Sequence, residues 1–176
     1  MTIYALSSGP GLSGLAVIRI SGDKCIEIVK KMTKGDLPTP RVATLRKIKK
    51  IKSEELIDEG IILWFPGPNS YTGEDLLELH VHGSRAVIDA ILKSISEISD
   101  CRIAEPGEFT KLAFLNGKIN LLEAESISDL ISSETEIQRR QALDIMSGYH
   151  GKKYEAWRSK LLKILSNIEA KIDFPE

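Results

Sequence analysis

The sequence predicts a mixed α and β fold followed by a purely helical part, and three observations carry that expectation. From the N-terminus to about Lys118, short β-rich runs alternate with helix-periodic ones. Within that part, Leu77, Leu79 and Val81 alternate with Glu78, His80 and His82. This is the period of two of a strand with one apolar and one ionisable face. From residue 119 to residue 176 the periodicity is helical only. A chain of 176 residues is long enough for one domain and a fragment of a second.

Ile3 to Leu6 reads as a short strand, followed by Ser7-Ser8-Gly9-Pro10-Gly11-Leu12-Ser13-Gly14. A run so rich in glycine and hydroxyls either cradles an anion on backbone N–H groups or simply turns the chain. Its spacing is neither the dinucleotide fingerprint nor a P-loop. Leu15 to Ile20 is β-rich, with Arg19 interrupting the apolar run. Ser21 is placed to cap a helix from Gly22 to about Met32, which Gly35 and Pro38-Thr39-Pro40 end. Val42 to Ile51 and Ile57 to Phe65 are the next strands. The basic run from Arg46 to Lys52 is either a nucleic-acid patch or a solvated edge that discourages strand pairing, and Glu54-Glu55 dilutes its field.

Pro66 to Asp75, with two prolines and two glycines around Asn69, forms a shaped loop that delivers the chain to the Glu78 strand. Ala86 to Ile98 is an amphipathic helix that Ser84 can cap, and Arg102 to Ala104 is a brief strand. Glu105-Pro106-Gly107-Glu108-Phe109-Thr110 opens a short helix that stops at Asn116-Gly117, a pair suited to a left-handed end. Asn120-Leu121-Leu122-Glu123 has capping-box spacing and starts one long helix to about Met146. Gly148 to Gly151 breaks it. A further helix follows, with Tyr154, Trp157, Leu161, Ile164, Leu165, Ile168 and Ile172 at three- and four-residue intervals. Two helices with such stripes look like half of a helical bundle that needs another chain or a continuation.

With 42% apolar and 28% charged residues the chain has the makings of an ordinary globular core. A net charge of −1 gives no overall electrostatic case for nucleic acid or membrane. Cys25 and Cys101 provide neither a disulfide framework nor metal-ligand spacing, which fits a reduced, cytoplasmic protein. The N-terminus has no basic segment or apolar run of signal-peptide length, and no stretch approaches the about 18 apolar residues of a membrane span. His80-Val81-His82 supplies two imidazoles, short of the three or four ligands of a zinc site, and no metal is expected. The polar face of the Glu78 strand either meets water or presents a carboxylate to a ligand.

Several stretches carry a specific resemblance. They are Ala16-Val17-Ile18-Arg19-Ile20-Ser21-Gly22, the run from Trp64 to Asp75 continuing through Leu77-Glu78-Leu79 to His82-Gly83, and Glu105-Pro106-Gly107-Glu108-Phe109-Thr110. Ala113-Phe114-Leu115-Asn116-Gly117-Lys118 and the closing Ile172-Asp173-Phe174-Pro175 complete the set. Together they resemble the N-terminal part of the tRNA-modification GTPase family MnmE/TrmE. The resemblance implies that residues 1–118 form an α+β domain similar to the tetrahydrofolate-binding domain of aminomethyltransferase, which dimerises. It implies that residues 119–176 are the first helices of an incomplete all-helical domain, with the inserted GTPase domain absent. The implied ligand is a 5-formyl- or 5,10-methylene-tetrahydrofolate, contacted by Arg19, Glu78 and Lys118. The implied role is 5-carboxymethylaminomethyl-type modification of the tRNA wobble uridine. A flavin-dependent partner protein and tRNA complete the assembly, and GTP, Mg and K belong to the full-length parent.

The residue types suit that ligand. A carboxylate accepts from adjacent N–H and amino donors such as a pterin ring offers, which is the role given to Glu78. Arg19 and Lys118 supply donors and positive charge, Arg as the planar fork. On structural grounds alone, Arg19 would serve an internal ion pair and Lys118 would favour the end of the helix before it. No G-x-x-x-x-G-K-[ST] occurs, so the chain alone is not expected to hydrolyse GTP. The competing functions are a stand-alone folate-dependent one-carbon transferase and a purely structural dimerisation fragment. The first is disfavoured because the chain lacks the length for that enzyme's other domains.

Overall fold

The computed structural model describes residues 1–9 and 11–173, and the chain divides into two compact units, Met1–Lys118 and Ile119–Glu176. Pro10 of the glycine-rich turn and Phe174-Pro175-Glu176 of the closing motif lie outside the described residues. The first unit contains β1 (Thr2–Leu6), β2 (Ser13–Ser21), α1 (Cys25–Thr33), β3 (Thr44–Lys49) and β4 (Leu56–Phe65). It continues with β5 (Leu76–Gly83), α2 (Arg85–Ser96), β6 (Cys101–Ile103) and α3 (Glu108–Leu115). The strands form one mixed sheet in the order β3-β4-β5-β2-β1-β6, with β1–β6 its parallel pair and the other neighbours antiparallel.

Side-chain alternation along these strands divides the sheet into two chemically distinct faces. Ile18 and Ile20 of β2, Leu77 and Leu79 of β5, Ile62 and Trp64 of β4 and Ile48 of β3 are buried in one core. Helix α1 adds Ile28, Val29 and Met32 to it, and α2 adds Ile91 and Ile95. Burying each such side chain stabilises the unit by about 1.5–3 kcal/mol before entropy is counted. Central strands buried this way fix the register, because a one-residue slip would turn Leu77 and Leu79 out and Glu78 in. The opposite face carries Val17, Arg19, Glu78, His80, Ile61 and Leu63, as the register Arg19↔Glu78↔Leu63 and Val17↔His80↔Ile61 requires.

Ser21 does not cap α1, whose first flanking residue is Lys24 without a side-chain cap. Ser21 ends β2 instead, buried, with its hydroxyl 2.7 Å from that of Thr72 and donating to Glu74. A long-range partner thus outcompetes the local cap. Gly22 makes the turn at φ 130°, where a Cβ would stand 2.8 Å from the Thr2 Cα. Ser84 does cap α2, accepting from the Val87 N–H, and Gly117 follows α3 at φ 66°. The basic run lies largely on β3, the outer strand. Lys47 stands opposite Glu59, Lys50 bonds Glu55 and Lys52 lies near Glu97, so its charge is locally offset.

The second unit holds α4 (Leu121–Ile131), α5 (Glu136–Met146) and α6 (Tyr149–Asp173). The Asn120–Glu123 capping box is present in both directions. The single helix expected as far as Met146 is two helices. Thr135 and Gln138 form a second capping box that starts α5 anew. Small residues allow α4 and α5 to approach closely, with Ser126 and Ala142 buried. The later break is confined to Ser147-Gly148, and Gly151 lies inside α6. Along α6, Trp157, Leu161, Leu165 and Ile168 are exposed. Among the described residues no helix is long and apolar enough to cross a membrane.

Candidate functional site

The polar face of the sheet gathers a charged centre where β2 and β5 pair. Arg19 and Glu78 stand directly opposite each other. Arg19 Nε donates to Glu78 Oε1 at 2.9 Å, and Nη2 lies 2.8 Å from the same oxygen as an ion-pair contact. The other oxygen, Oε2, lies 3.3 Å from His80 Nε2. The arginine and glutamate side chains are 29% and 15% exposed, so their charges are partly desolvated but still reachable. Two aromatic rings flank the guanidinium, with its carbon 5.5 Å from the Tyr71 ring centroid and 5.7 Å from that of Phe109. At these distances the ring faces attract the cation and help fix its plane.

Each ring is fixed by its own supports. Tyr71 belongs to the loop of residues 66–75, and its hydroxyl is 2.9 Å from that of Thr110 on α3. Within the loop Gly67 N–H donates to Asp75 Oδ1 and Ser70 donates to the Glu74 carbonyl. From outside, Asn116 donates to the Thr72 carbonyl and Arg41 to that of Asn69. Gly73 sits at φ 80°, and a Cβ there would come within 3.1 Å of Asn116 Cβ. Glycine is therefore required by both conformation and space. Phe109 follows Glu108, whose carboxylate takes both terminal nitrogens of Arg102 and the Glu105 N–H. The Arg102 guanidinium holds the Glu108 carboxyl below its ordinary range, so the clamp at the start of α3 is ionised at neutral pH.

The structure therefore brings Arg19 and Glu78 into direct contact, whereas Lys118 meets the loop and not the pair. Its Nζ donates to the Pro68 carbonyl at 2.9 Å, and its stem lies against Gly73. Lys118 is exposed, on the loop that supplies Tyr71. The sequence reading missed three neighbours. His80 was legible, since a period of two places it next to Glu78 on one face. Tyr71 and Phe109 had no local signal, because only the tertiary fold brings them to Arg19.

The two strand histidines have separate partners. His82 is tied to Asp58, whose carboxylate accepts from the His82 N–H and Nδ1 at 2.8 Å and 2.9 Å. Among the described residues no group of three or more His, Cys, Asp or Glu is gathered as a metal site. Burial works against the Asp58 charge, but the His82 backbone and ring donors and the Glu59 N–H outweigh it, leaving the pKa below the ordinary aspartate value. A lowered folded-state pKa gives stability that is present above the unfolded value of about 3.9 and lost as pH falls through the folded one. Asp58→Asn is expected to cost about 1–2 kcal/mol near pH 7. Urea melts across the acid range should show the gap between wild type and variant closing as pH falls below the unfolded value and through the lowered folded-state one.

A mixed sheet with α1 and α2 on one face and a charged centre flanked by aromatic rings of the loop and α3 on the other, followed by a helical unit, defines an α+β chain with a helical extension. Residues 2–118 match the family model described as GTP-binding protein TrmE N-terminus, and residues 121–176 match the MnmE helical domain. The chain belongs to the MnmE/TrmE family. It is 67% identical, over all of its length, to the tRNA modification GTPase MnmE of Pelagibacter ubique, of which it covers 40%. It is also 50% identical over 175 residues to the mitochondrial 5-taurinomethyluridine-[tRNA] synthase subunit GTPB3 of Danio rerio, covering 99% of this chain and 35% of that protein. The tRNA modification GTPase MnmE of Anaplasma phagocytophilum shares 51% identity over 175 residues, 99% of this chain and 39% of the relative. The chain thus spans about two fifths of the length of the curated relatives it matches.

Proposed function

We propose that residues 1–118 bind a one-carbon tetrahydrofolate, the 5-formyl or 5,10-methylene form, through Arg19, Glu78 and Lys118, and pair with a second copy of the chain. In this reading the chain is the N-terminal portion of a cytoplasmic tRNA-modifying GTPase. It holds the one-carbon donor for 5-carboxymethylaminomethyl-type modification of the wobble uridine. GTP with Mg and K, the flavin-dependent partner and tRNA act with the longer parent.

The observation that supports the folate reading most is the Arg19–Glu78 pair held between two aromatic rings at the foot of a fixed loop. A pterin is flat, with N–H and amino donors beside a carbonyl acceptor, and a carboxylate next to a guanidinium offers the matching partners. Because Arg19 already engages Oε1 by the Nε hydrogen bond and the Nη2 ion-pair contact, Oε2 is the oxygen with more capacity left for a pterin N–H. Lys118, exposed on the loop, is suited to the carboxylates of the folate tail. Pairing of two copies is supported by the apolar residues left exposed on the polar side of the sheet, Leu15, Leu45 and Ile61.

Equilibrium dialysis against 5-formyl-tetrahydrofolate and sedimentation over a range of protein concentrations test the two parts separately. Saturable binding and a concentration-dependent dimer are expected. Retention no greater than a control protein's would remove the folate reading, and a monomer at every concentration would remove the pairing.

A further inference from the structure

His80 follows Glu78 on the ionisable side of β5, opposite Val17 of β2 and Ile61 of β4, and its side chain is 22% exposed. Its Nε2 lies 3.3 Å from Glu78 Oε2. An ionised carboxylate only accepts, so Nε2 carries the hydrogen in this contact and Nδ1 of the neutral ring is left as an acceptor. Arg19 holds Oε1 by the Nε hydrogen bond and the Nη2 ion-pair contact, and Oε2 is therefore the oxygen that a ligand N–H must share with His80. A distance of 3.3 Å is long for such a bond. It has room to shorten toward the about 2.7–2.9 Å of a charge-assisted one once the ring gains a proton.

We propose that His80 is a positioning residue of the Glu78 site. Its neutral ring orients Oε2 toward the ligand's N–H donor, and its protonated ring competes with the ligand for that oxygen. The proposal rests on the folate reading above. It makes ligand affinity fall as pH drops through the range in which histidines charge, about pH 8 to 5. The charged groups of the strands packed around His80 are Arg19 from β2, Asp58 and Glu59 from β4, and Glu78 and His82 along β5 itself. Arg19 bonds Oε1 and His82 bonds Asp58, so His80 is the imidazole in contact with Glu78.

Calorimetric titration of the whole chain with 5-formyl-tetrahydrofolate at several values between about pH 8 and about pH 5.5 tests this. Wild-type affinity should fall about fivefold or more across the range. His80→Gln keeps an N–H donor but cannot gain charge. It should still bind at about pH 8 and lose the pH dependence. His80→Leu should bind more weakly at about pH 8 and also without slope, and His82→Gln should keep the wild-type slope. Circular dichroism confirms that each variant is folded. A wild type that binds with a flat profile, a slope that survives in His80→Gln, or a slope abolished by His82→Gln would overturn the role of His80. No binding by wild type at any pH would be a different result, and would remove the folate reading together with this one.

Discussion

Arg19→Ala should weaken 5-formyl-tetrahydrofolate binding by about ten- to hundredfold, the loss expected when a charge-assisted partner is removed. It should also cost the first unit about 2 kcal/mol. Glu78 is 15% exposed, and its Oε1 takes the Arg19 Nε hydrogen bond and the Nη2 ion-pair contact. Removing the arginine leaves a half-buried carboxylate with His80 alone and opens a gap between Tyr71 and Phe109. Breaking one side of a fully buried pair costs more, about 3–5 kcal/mol, and access of water to Arg19 lowers the figure here. Arg19→Lys should recover charge but not the fork onto Oε1, and so should lie between the two. Calorimetry gives the affinity and urea denaturation the stability. Wild-type affinity in Arg19→Ala would mean that the pair is structural only.

Leu79→Ala should produce the converse, a loss of about 3 kcal/mol in stability with little change in ligand affinity of the folded protein. Leu79 neighbours Glu78 in sequence but points to the other side of the sheet, where it is 1% exposed between Ile18 and Ile62. Truncation there leaves a cavity beneath the central strand and touches neither Arg19 nor the loop. Urea melts should show a lower midpoint at an unchanged slope. Below the melting transition, binding should stay within about threefold of wild type. A collapse of affinity at full foldedness would show that the site depends on core packing more than on its own side chains.

The parts of the fold legible in the sequence were those governed by near neighbours. The period of two placed Glu78 opposite in face to Leu77 and Leu79, and Ser84 and Asn120 made the caps their spacing announced. The failures came where distant or competing contacts decide. The Ser21 hydroxyl went to Thr72, 51 residues away, rather than to the next helix. The Thr135–Gln138 capping box was present as Thr-x-x-Gln spacing after Ser132-Ser133-Glu134, and was overlooked because the apolar stripe resumes at Ile137, seven residues after Leu130. At the candidate site, single residues were legible but their arrangement was not. Arg19 and Glu78 are 59 residues apart, and only the β2–β5 register shows that they bond each other. That bond changes the chemistry expected of Glu78, since one of its two oxygens is already committed. Tyr71 and Phe109 reach Arg19 through the loop and α3, for which no local pattern exists.

The central claim is that the Glu78 carboxylate reads the ligand. Titration calorimetry of wild type and Glu78→Gln with 5-formyl-tetrahydrofolate at about pH 8 tests it most directly. The variant keeps the shape of the side chain, and an amide oxygen can still accept from Arg19. The expected result is a saturable heat with wild type and an affinity at least about tenfold lower in Glu78→Gln, with the circular dichroism spectrum unchanged. No heat with wild type, or equal affinity in the variant, would contradict it.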